Sequence, residues 1–147
     1  MNAGLAIAVG GLLALLGSIG DWAVCSMTPC YVPDGALGGL AFSEMSGVDF
    51  GYGIVTLIAA IHLIALGEYA RRQGGTSRFG AFGMMLSLLV LGVVSAFLIR
   101  FYVLWDESFT VSGPPANGAV LVACGGLLSL AASVLMRRGT LNRDAPE

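Results

Sequence analysis

The sequence has little charge. Only 11% of its 147 residues are Asp, Glu, Lys or Arg, 56% are hydrophobic, and it contains no lysine. A soluble domain of this length needs a largely polar surface, so this composition excludes an ordinary soluble protein. The formal net charge is -2 without a basic stripe, and nucleic acid is therefore not an expected partner. We interpret residues 1–147 as a single integral membrane domain.

Residues that often carry chemistry are also scarce. The chain has one histidine and three cysteines, so a single copy cannot hold a haem between two histidines. The apolar segments contain no cluster of acidic residues, which removes the usual sequence support for ion or proton transport. We therefore expect no metal, no cofactor and no catalytic residue. Whether the protein is an enzyme stays open, with a non-catalytic protein as the favoured interpretation.

Four long apolar runs are present, at about 3–22, 51–69, 79–101 and 116–136. Each is close to the roughly 20 residues that cross about 30 Å of hydrocarbon as a helix. A bilayer admits only helices or closed barrels, and strand-like alternation is absent. The first run lacks the basic segment that begins a signal peptide, so we expect it to remain as a helix. The sequence predicts an all-α bundle of four transmembrane helices.

The distribution of arginine predicts the orientation. Six of the seven arginines lie in two segments, at Arg71, Arg72, Arg78, Arg137, Arg138 and Arg143. The other two connections contain acids and no Lys or Arg, and basic connections stay in the cytoplasm. We expect both termini, loop 70–78 and tail 137–147 in the cytoplasm, and loops 23–50 and 102–115 outside. Trp22 then falls at the outer boundary, where aromatic rings favour the headgroup layer.

Small residues recur every four positions in the first and fourth runs. They are Ala6, Gly10, Ala14 and Ser18 in the first run, and Gly125, Ser129 and Ser133 in the fourth. Small side chains allow membrane helices to approach closely, so we predict that these positions form helix-packing faces. The two runs also share the patterns "GGLLALLGS" and "GGLLSLAAS". An internal repeat and a chance similarity both remain open as explanations.

The stretch "DWAVCSMTPC" places Cys25 and Cys30 in the first outer loop. An outer loop lies in an oxidising compartment, so the two thiols are expected to form a disulfide across four residues, with Pro29 restricting the turn. The structural interpretation is a short staple at the root of the loop. The alternative is the redox pair of a thiol-disulfide oxidoreductase. This alternative lacks a Cys-x-x-Cys motif and a second pair, because only Cys124 remains.

Two intramembrane polar features stand out. His62 is in the interior of the second run, at about the depth of Ser87 and Ser129, and we predict that the three form a hydrogen-bonded polar layer. Proton transfer or metal binding is the alternative, but no carboxylate lies at that depth. Asp21 and Arg100 both lie near the outer ends of their helices. Either the two form an ion pair, or Arg100 extends alone towards lipid phosphates.

Three segments together resemble a group of small four-helix (tetraspan) membrane proteins of actinobacteria. They are "GSIGDWAVC", "SGVDFGYGIVTLIAA" and "NGAVLVACGGLLSLAASVLMRR", and the resemblance as a whole extends over most of the chain. The resemblance implies the four-helix architecture and a bacterial plasma membrane, and it implies no activity. The Trp22-x-x-Cys25 step and the longer first outer loop are also faintly similar to claudins, although the second cysteine comes earlier than in the claudin pattern.

Three classes of function are compatible with the sequence. The first is a non-catalytic accessory or scaffold subunit of a larger membrane or cell-envelope complex, favoured by the many small-residue faces. The second is a thiol-disulfide oxidoreductase that uses Cys25 and Cys30. The third is an oligomeric channel or small transporter. The expected partners are membrane lipids, together with other integral membrane subunits or further copies of the chain.

Overall fold

A computed structural model of the chain describes residues 2–24, 44–48, 51–73, 76–100 and 116–141. Within these ranges the chain forms four helices, which confirms the predicted number, and two short strands. The helices are α1 (Ala3–Ile19), α2 (Tyr52–Gln73), α3 (Ser77–Leu98) and α4 (Asn117–Leu141). The strands are β1 (Asp21–Val24) and β2 (Glu44–Ser46).

Three helices in the described part of the chain are long and apolar enough to cross a membrane. These spans are Tyr52–Gln73, Arg78–Leu98 and Asn117–Gly139. Helix α1 is also apolar but has 17 residues, which at about 1.5 Å per residue gives a length of roughly 25 Å. The predicted class, a bundle of apolar helices, is confirmed at this level.

The helices pack as a ring of antiparallel neighbours. Helix α1 packs along both α2 and α4, and α3 packs along α4 and more loosely along α2. The glycines show the direction, because Gly4 of α1 lies against Gly67 of α2, whereas Gly17 of α1 lies against Gly118 of α4. The ends of α1 and α3 therefore meet the starts of α2 and α4 at one end of the bundle.

The helix boundaries differ from the predicted ones at several points. Helix α1 begins after Asn2, whose side chain accepts a hydrogen bond from the Gly4 N–H at 3.0 Å and caps the helix. It ends at Ile19 because Gly20 adopts an extended conformation, with φ -79° and ψ 171°, and leads into β1. Position 22, predicted as the last helical residue, is therefore in a strand.

The second and fourth helices extend beyond their apolar runs. Helix α2 continues to Gln73, and its last turn contains Arg71 and Arg72. Helix α4 continues through Arg138 to Leu141, into the predicted tail. Arginines in the last turn interact favourably with the negative end of the helix dipole, so the polar residues after each run can remain helical.

The fold also contains a short hairpin-like pair of strands, which an all-α prediction does not include. Strands β1 and β2 pair antiparallel, with Asp21 opposite Ser46 and Val24 opposite Glu44. On its other side β1 contacts the start of α4, where the Ala116 N–H donates to the Trp22 carbonyl at 3.3 Å. Strands of four and three residues are too short to give the alternating pattern by which strands are recognised in a sequence.

Candidate functional site

The end of the bundle that carries β1 and β2, here called the strand end, is built around Trp22. The Trp22 side chain is completely buried, and its Nε1 donates a hydrogen bond to the Gly17 carbonyl at 2.8 Å. Its ring lies edge-on to Phe97, with centroids 4.9 Å apart, and Phe97 meets Tyr52 at 6.0 Å. Trp22 is therefore part of an aromatic cluster (Trp22, Tyr52, Phe97) inside the protein, and its ring is not exposed to headgroups as the sequence had predicted.

Gly47 joins the two segments that surround this cluster. Its N–H donates to the Gly20 carbonyl at 3.2 Å, and its own carbonyl accepts from the Gly53 N–H at 2.7 Å. A Cβ at position 47 would collide with the indole ring of Trp22, so the position requires glycine. The motifs "GSIGDW" and "SGVDFGYG" therefore contact each other, although they are separate in the sequence.

Two buried hydroxyl groups link α1 and α2 near the aromatic cluster. Ser18 and Thr56 are both completely buried, and their side-chain oxygens lie 2.7 Å apart. The Ser18 hydroxyl also donates to the Ala14 carbonyl at 2.7 Å, and the Thr56 hydroxyl lies 3.1 Å from the Gly53 carbonyl. Both side chains are thus satisfied inside the bundle, as buried polar groups must be.

A double-mutant cycle on this pair tests whether the hydroxyl contact couples the two helices. We expect Ser18→Ala and Thr56→Val to be less than additive in their effect on the free energy of unfolding, with a coupling of about 0.6 kcal/mol and at most about 1.7 kcal/mol. Thermal unfolding in detergent measures the four variants. Full additivity would show that each hydroxyl bonds only to its own helix.

The seven predicted packing residues are all buried. Across α1 and α4, a Cβ on Gly10 would lie 2.6 Å from the Gly125 carbonyl oxygen, and a Cβ on Gly125 would lie 2.6 Å from the Ala14 nitrogen. Ser129 adds a hydrogen bond from its hydroxyl to the Ile7 carbonyl at 3.3 Å. The small faces of the two helices therefore lie directly against each other, at separations that leave no room for a larger side chain.

Ser133 differs from the other packing residues, because it faces α3. A Cβ on Gly83 would collide with the Ser133 hydroxyl oxygen. This oxygen is buried and has no hydrogen-bond partner among the described residues. The packing face of α4 is thus divided between two neighbours, with Gly125 and Ser129 against α1 and Ser133 against α3.

The predicted polar layer of His62, Ser87 and Ser129 is not assembled. His62 is exposed, and its Nδ1 lies 2.7 Å from the carbonyl oxygen of Ile58 in its own helix. Ser87 is buried and donates to the Gly83 carbonyl at 2.8 Å, while Ser129 bonds across to α1. The prediction used only the depth of each residue along its helix. It did not include the direction of each side chain, and His62 lies on the side of α2 that faces away from the bundle.

The two remaining predicted pairs are the Asp21–Arg100 ion pair and the Cys25–Cys30 disulfide. Asp21 and Arg100 are both exposed, and the ion pairs found in the described part of the chain do not join them. Extension of Arg100 towards lipid phosphates therefore remains the prediction for this residue. Cys25 and Cys30 lie outside the described residues, so their disulfide also remains a prediction.

The opposite end of the bundle, here called the arginine end, carries Arg71, Arg72, Arg78, Arg137 and Arg138. Glu68 accepts two hydrogen bonds from Arg71, at 2.7 and 2.8 Å, and one from Arg72 at 2.6 Å. These groups are partly or largely exposed, so we expect little stabilisation from them. One acid cannot neutralise two arginines, so the described residues at the arginine end carry a net positive charge.

The described residues offer contacts between helices and little reactive chemistry. Across these ranges no three His, Cys, Asp or Glu side chains lie together in a way that could hold a metal ion. The buried polar side chains found there are all hydroxyls: Ser18, Thr56, Ser87, Ser129 and Ser133. Hydroxyl groups between helices act mainly as hydrogen-bonding contacts. The candidate site is therefore the packed strand end and the helix contacts that lead to it.

Comparison with known proteins finds no matching family model, no similar curated protein and no similar solved structure. The candidate site is therefore identified only from the contacts within this chain. Sequence reasoning did not select Trp22, Thr56 or Phe97 as site residues. Trp22 was visible as the aromatic residue at the end of the first apolar run, but its burial depends on Phe97 and Gly47, which are distant in the sequence.

Proposed function

We propose that the protein is a multi-pass protein of the bacterial plasma membrane with both termini in the cytoplasm. We further propose that it is a non-catalytic accessory or scaffold subunit of a larger membrane or cell-envelope complex. The observation that carries the proposal is the distribution of side-chain size, with small residues between the helices and large apolar residues on the outside.

Membrane insertion is supported by the exterior of the bundle. Nineteen large hydrophobic side chains in the described ranges are exposed, and they occur on all four helices. Leu135, Met85 and Leu127 are 63%, 60% and 59% exposed. A monomer in water rarely exposes large continuous apolar patches, whereas lipid chains are as apolar as leucine. A bilayer therefore provides the environment that this surface requires.

The orientation is supported by the charges at the two ends. At the arginine end, the described residues include five arginines and one acid, Glu68. At the strand end they include two acids, Asp21 and Glu44, and one base, Arg100. Because basic segments remain on the cytoplasmic side, we assign the arginine end to the cytoplasm and the strand end to the outside.

A reporter fusion tests this orientation. Alkaline phosphatase, which is active only outside the cytoplasm, should be inactive when fused after Glu147. The same enzyme fused after Glu107, in the predicted second outer loop, should be active and serves as the control. A fusion at Glu147 that is as active as the control would contradict the proposed topology.

The scaffold function is supported by what the described residues provide. Hydroxyl groups and close glycine contacts stabilise a bundle, and broad apolar faces on all four helices can bind lipids and further helices. The proposed partners are accordingly membrane lipids and other integral membrane subunits. No contact in the described part of the chain specifically favours the oxidoreductase or the channel over this function.

Copurification from native membranes, followed by mass spectrometry, distinguishes the three functions. We expect a stable larger subunit to remain bound after mild solubilisation. A homo-oligomer without other subunits would contradict the scaffold function and favour a channel. A mixed disulfide at Cys25 or Cys30, trapped by alkylation in living cells, would favour the oxidoreductase instead.

A further inference from the structure

The outward face of α2 contains a polar group in an apolar environment. His62 is exposed beside Ile58 and Ile61, which are 52% and 51% exposed, and the exposed Ala65 continues the same face. His62 is the eleventh of the 22 residues of α2, so it lies about 15 Å from the outer end of the helix and about 10 Å from position 69, where the predicted membrane segment ends. In the proposed membrane orientation this is inside the hydrocarbon layer, where a polar group needs a partner.

The hydrogen bond of His62 determines which ring nitrogen needs that partner. Nδ1 lies 2.7 Å from the Ile58 carbonyl oxygen, and a carbonyl oxygen can only accept, so Nδ1 carries the hydrogen. In the neutral ring, Nε2 is then an unprotonated acceptor. Among the described residues no side chain donates to Nε2. The α2 outward face (Ile58, Ile61, His62, Ala65) therefore presents one hydrogen-bond acceptor among apolar side chains.

The chemistry of this acceptor distinguishes between the possible occupants. Lipid acyl chains have no donor to offer. In a symmetric contact between two copies, equivalent surfaces face each other, and two Nε2 acceptors would meet without a hydrogen between them. A helix with a hydroxyl or amide donor at the same depth satisfies Nε2 while its apolar residues cover the isoleucines. The small side chain of Ala65, one turn from His62, lets such a helix approach closely.

We propose that the α2 outward face binds a transmembrane helix of a different subunit, which donates an O–H or N–H hydrogen bond to Nε2 of His62. This inference rests on the proposed function and specifies where the larger complex binds. It also assigns a role to the single histidine that does not require a second ligand, a carboxylate or a proton pathway.

Photocrosslinking of the full-length protein in native membranes tests the proposal. Benzoylphenylalanine is placed at Ile58 or Ala65, and at Leu127 on α4 as an exposed control. We expect crosslinks from α2 to one other subunit, at a transmembrane segment that contains a Ser, Thr, Asn, Gln or Trp donor, and none to that segment from Leu127. His62→Leu should reduce the copurified subunit about 3- to 15-fold. His62→Gln retains an acceptor oxygen and should largely restore binding.

The possible failures can be told apart. If the wild type retains no other subunit, the proposed function and this inference both fail. If a subunit is retained equally by His62→Leu, or crosslinks from Leu127 and not from α2, the inference alone fails. Crosslinks from α2 only to lipid or to a second copy also overturn it. A bound metal or haem that both His62 variants lose would show that Nε2 is a metal ligand instead.

Discussion

Replacing Gly125 with alanine is expected to destabilise the protein by about 3 kcal/mol or more. The added Cβ would lie 2.6 Å from the Ala14 nitrogen and would also collide with the Gly10 carbonyl oxygen. Both neighbours are backbone atoms of α1, so no rotation of a side chain can relieve the contact. The two helices must separate, and overpacking of this kind costs about 1–3 kcal/mol even where side chains can adjust. Thermal unfolding in detergent measures the loss.

Gly92 provides the matched control for this experiment. It lies on α3, where an added Cβ would meet no atom of the described residues within 4 Å. Gly92→Ala should therefore leave stability unchanged or raise it by up to about 1 kcal/mol, the difference in helix propensity between the two residues. If Gly125→Ala and Gly92→Ala have equal effects, the close contact between α1 and α4 does not hold the bundle together.

Replacing Trp22 with alanine is expected to cost about 3–5 kcal/mol, the usual range for deletion of a large buried aromatic side chain. The loss removes the edge contact with Phe97 and leaves a cavity between β1 and α3. It also removes the hydrogen bond from Nε1 to the Gly17 carbonyl. Because this cluster connects β1 to the helices and β2 pairs with β1, the strand end should lose its order. Hydrogen exchange at the amides of β1 and β2 reports this loss directly.

Two further variants separate the contribution of the Trp22 hydrogen bond from that of its buried ring. Trp22→Phe keeps an aromatic ring but removes the hydrogen bond from Nε1. It should therefore destabilise the protein by about 1 kcal/mol in addition to the cost of the smaller ring. Phe82→Ala removes an aromatic side chain that is 43% exposed on the outside of α3, so it should cost much less than Trp22→Ala. A small effect of Trp22→Ala would place the indole at the membrane interface, as the sequence alone had predicted.

Some features could be predicted because they depend on local sequence. Four apolar runs indicated four helices, because backbone polar groups in an apolar segment must bond within it. The four-residue spacing of Gly10, Ala14 and Ser18 indicated a face for close approach, because residues four apart lie on one side of a helix. The structure places these residues in the interior, with Gly10 and Ala14 against the corresponding face of α4.

Other features could not be predicted because they depend on contacts between distant segments. Depth along each helix suggested that His62, Ser87 and Ser129 share a level, but depth does not specify the facing of a side chain. The facing of α2 depends on how closely Gly67 packs against Gly4 and Ala8 of α1, and this packing leaves His62 outside. Burial of Trp22 likewise depends on Gly47, which the sequence separates from it by most of the first outer loop.

The sequence by itself determined the apolar character of this protein, the four helices of the described ranges and the positions at which small residues permit close packing. These properties follow from composition and from spacing within one segment. Only the tertiary structure decided which helices are neighbours, that two short strands cover one end, that Trp22 is interior and that His62 is exterior. Each of these depends on the space that one segment leaves for another, and that space exists only when the helices are packed together.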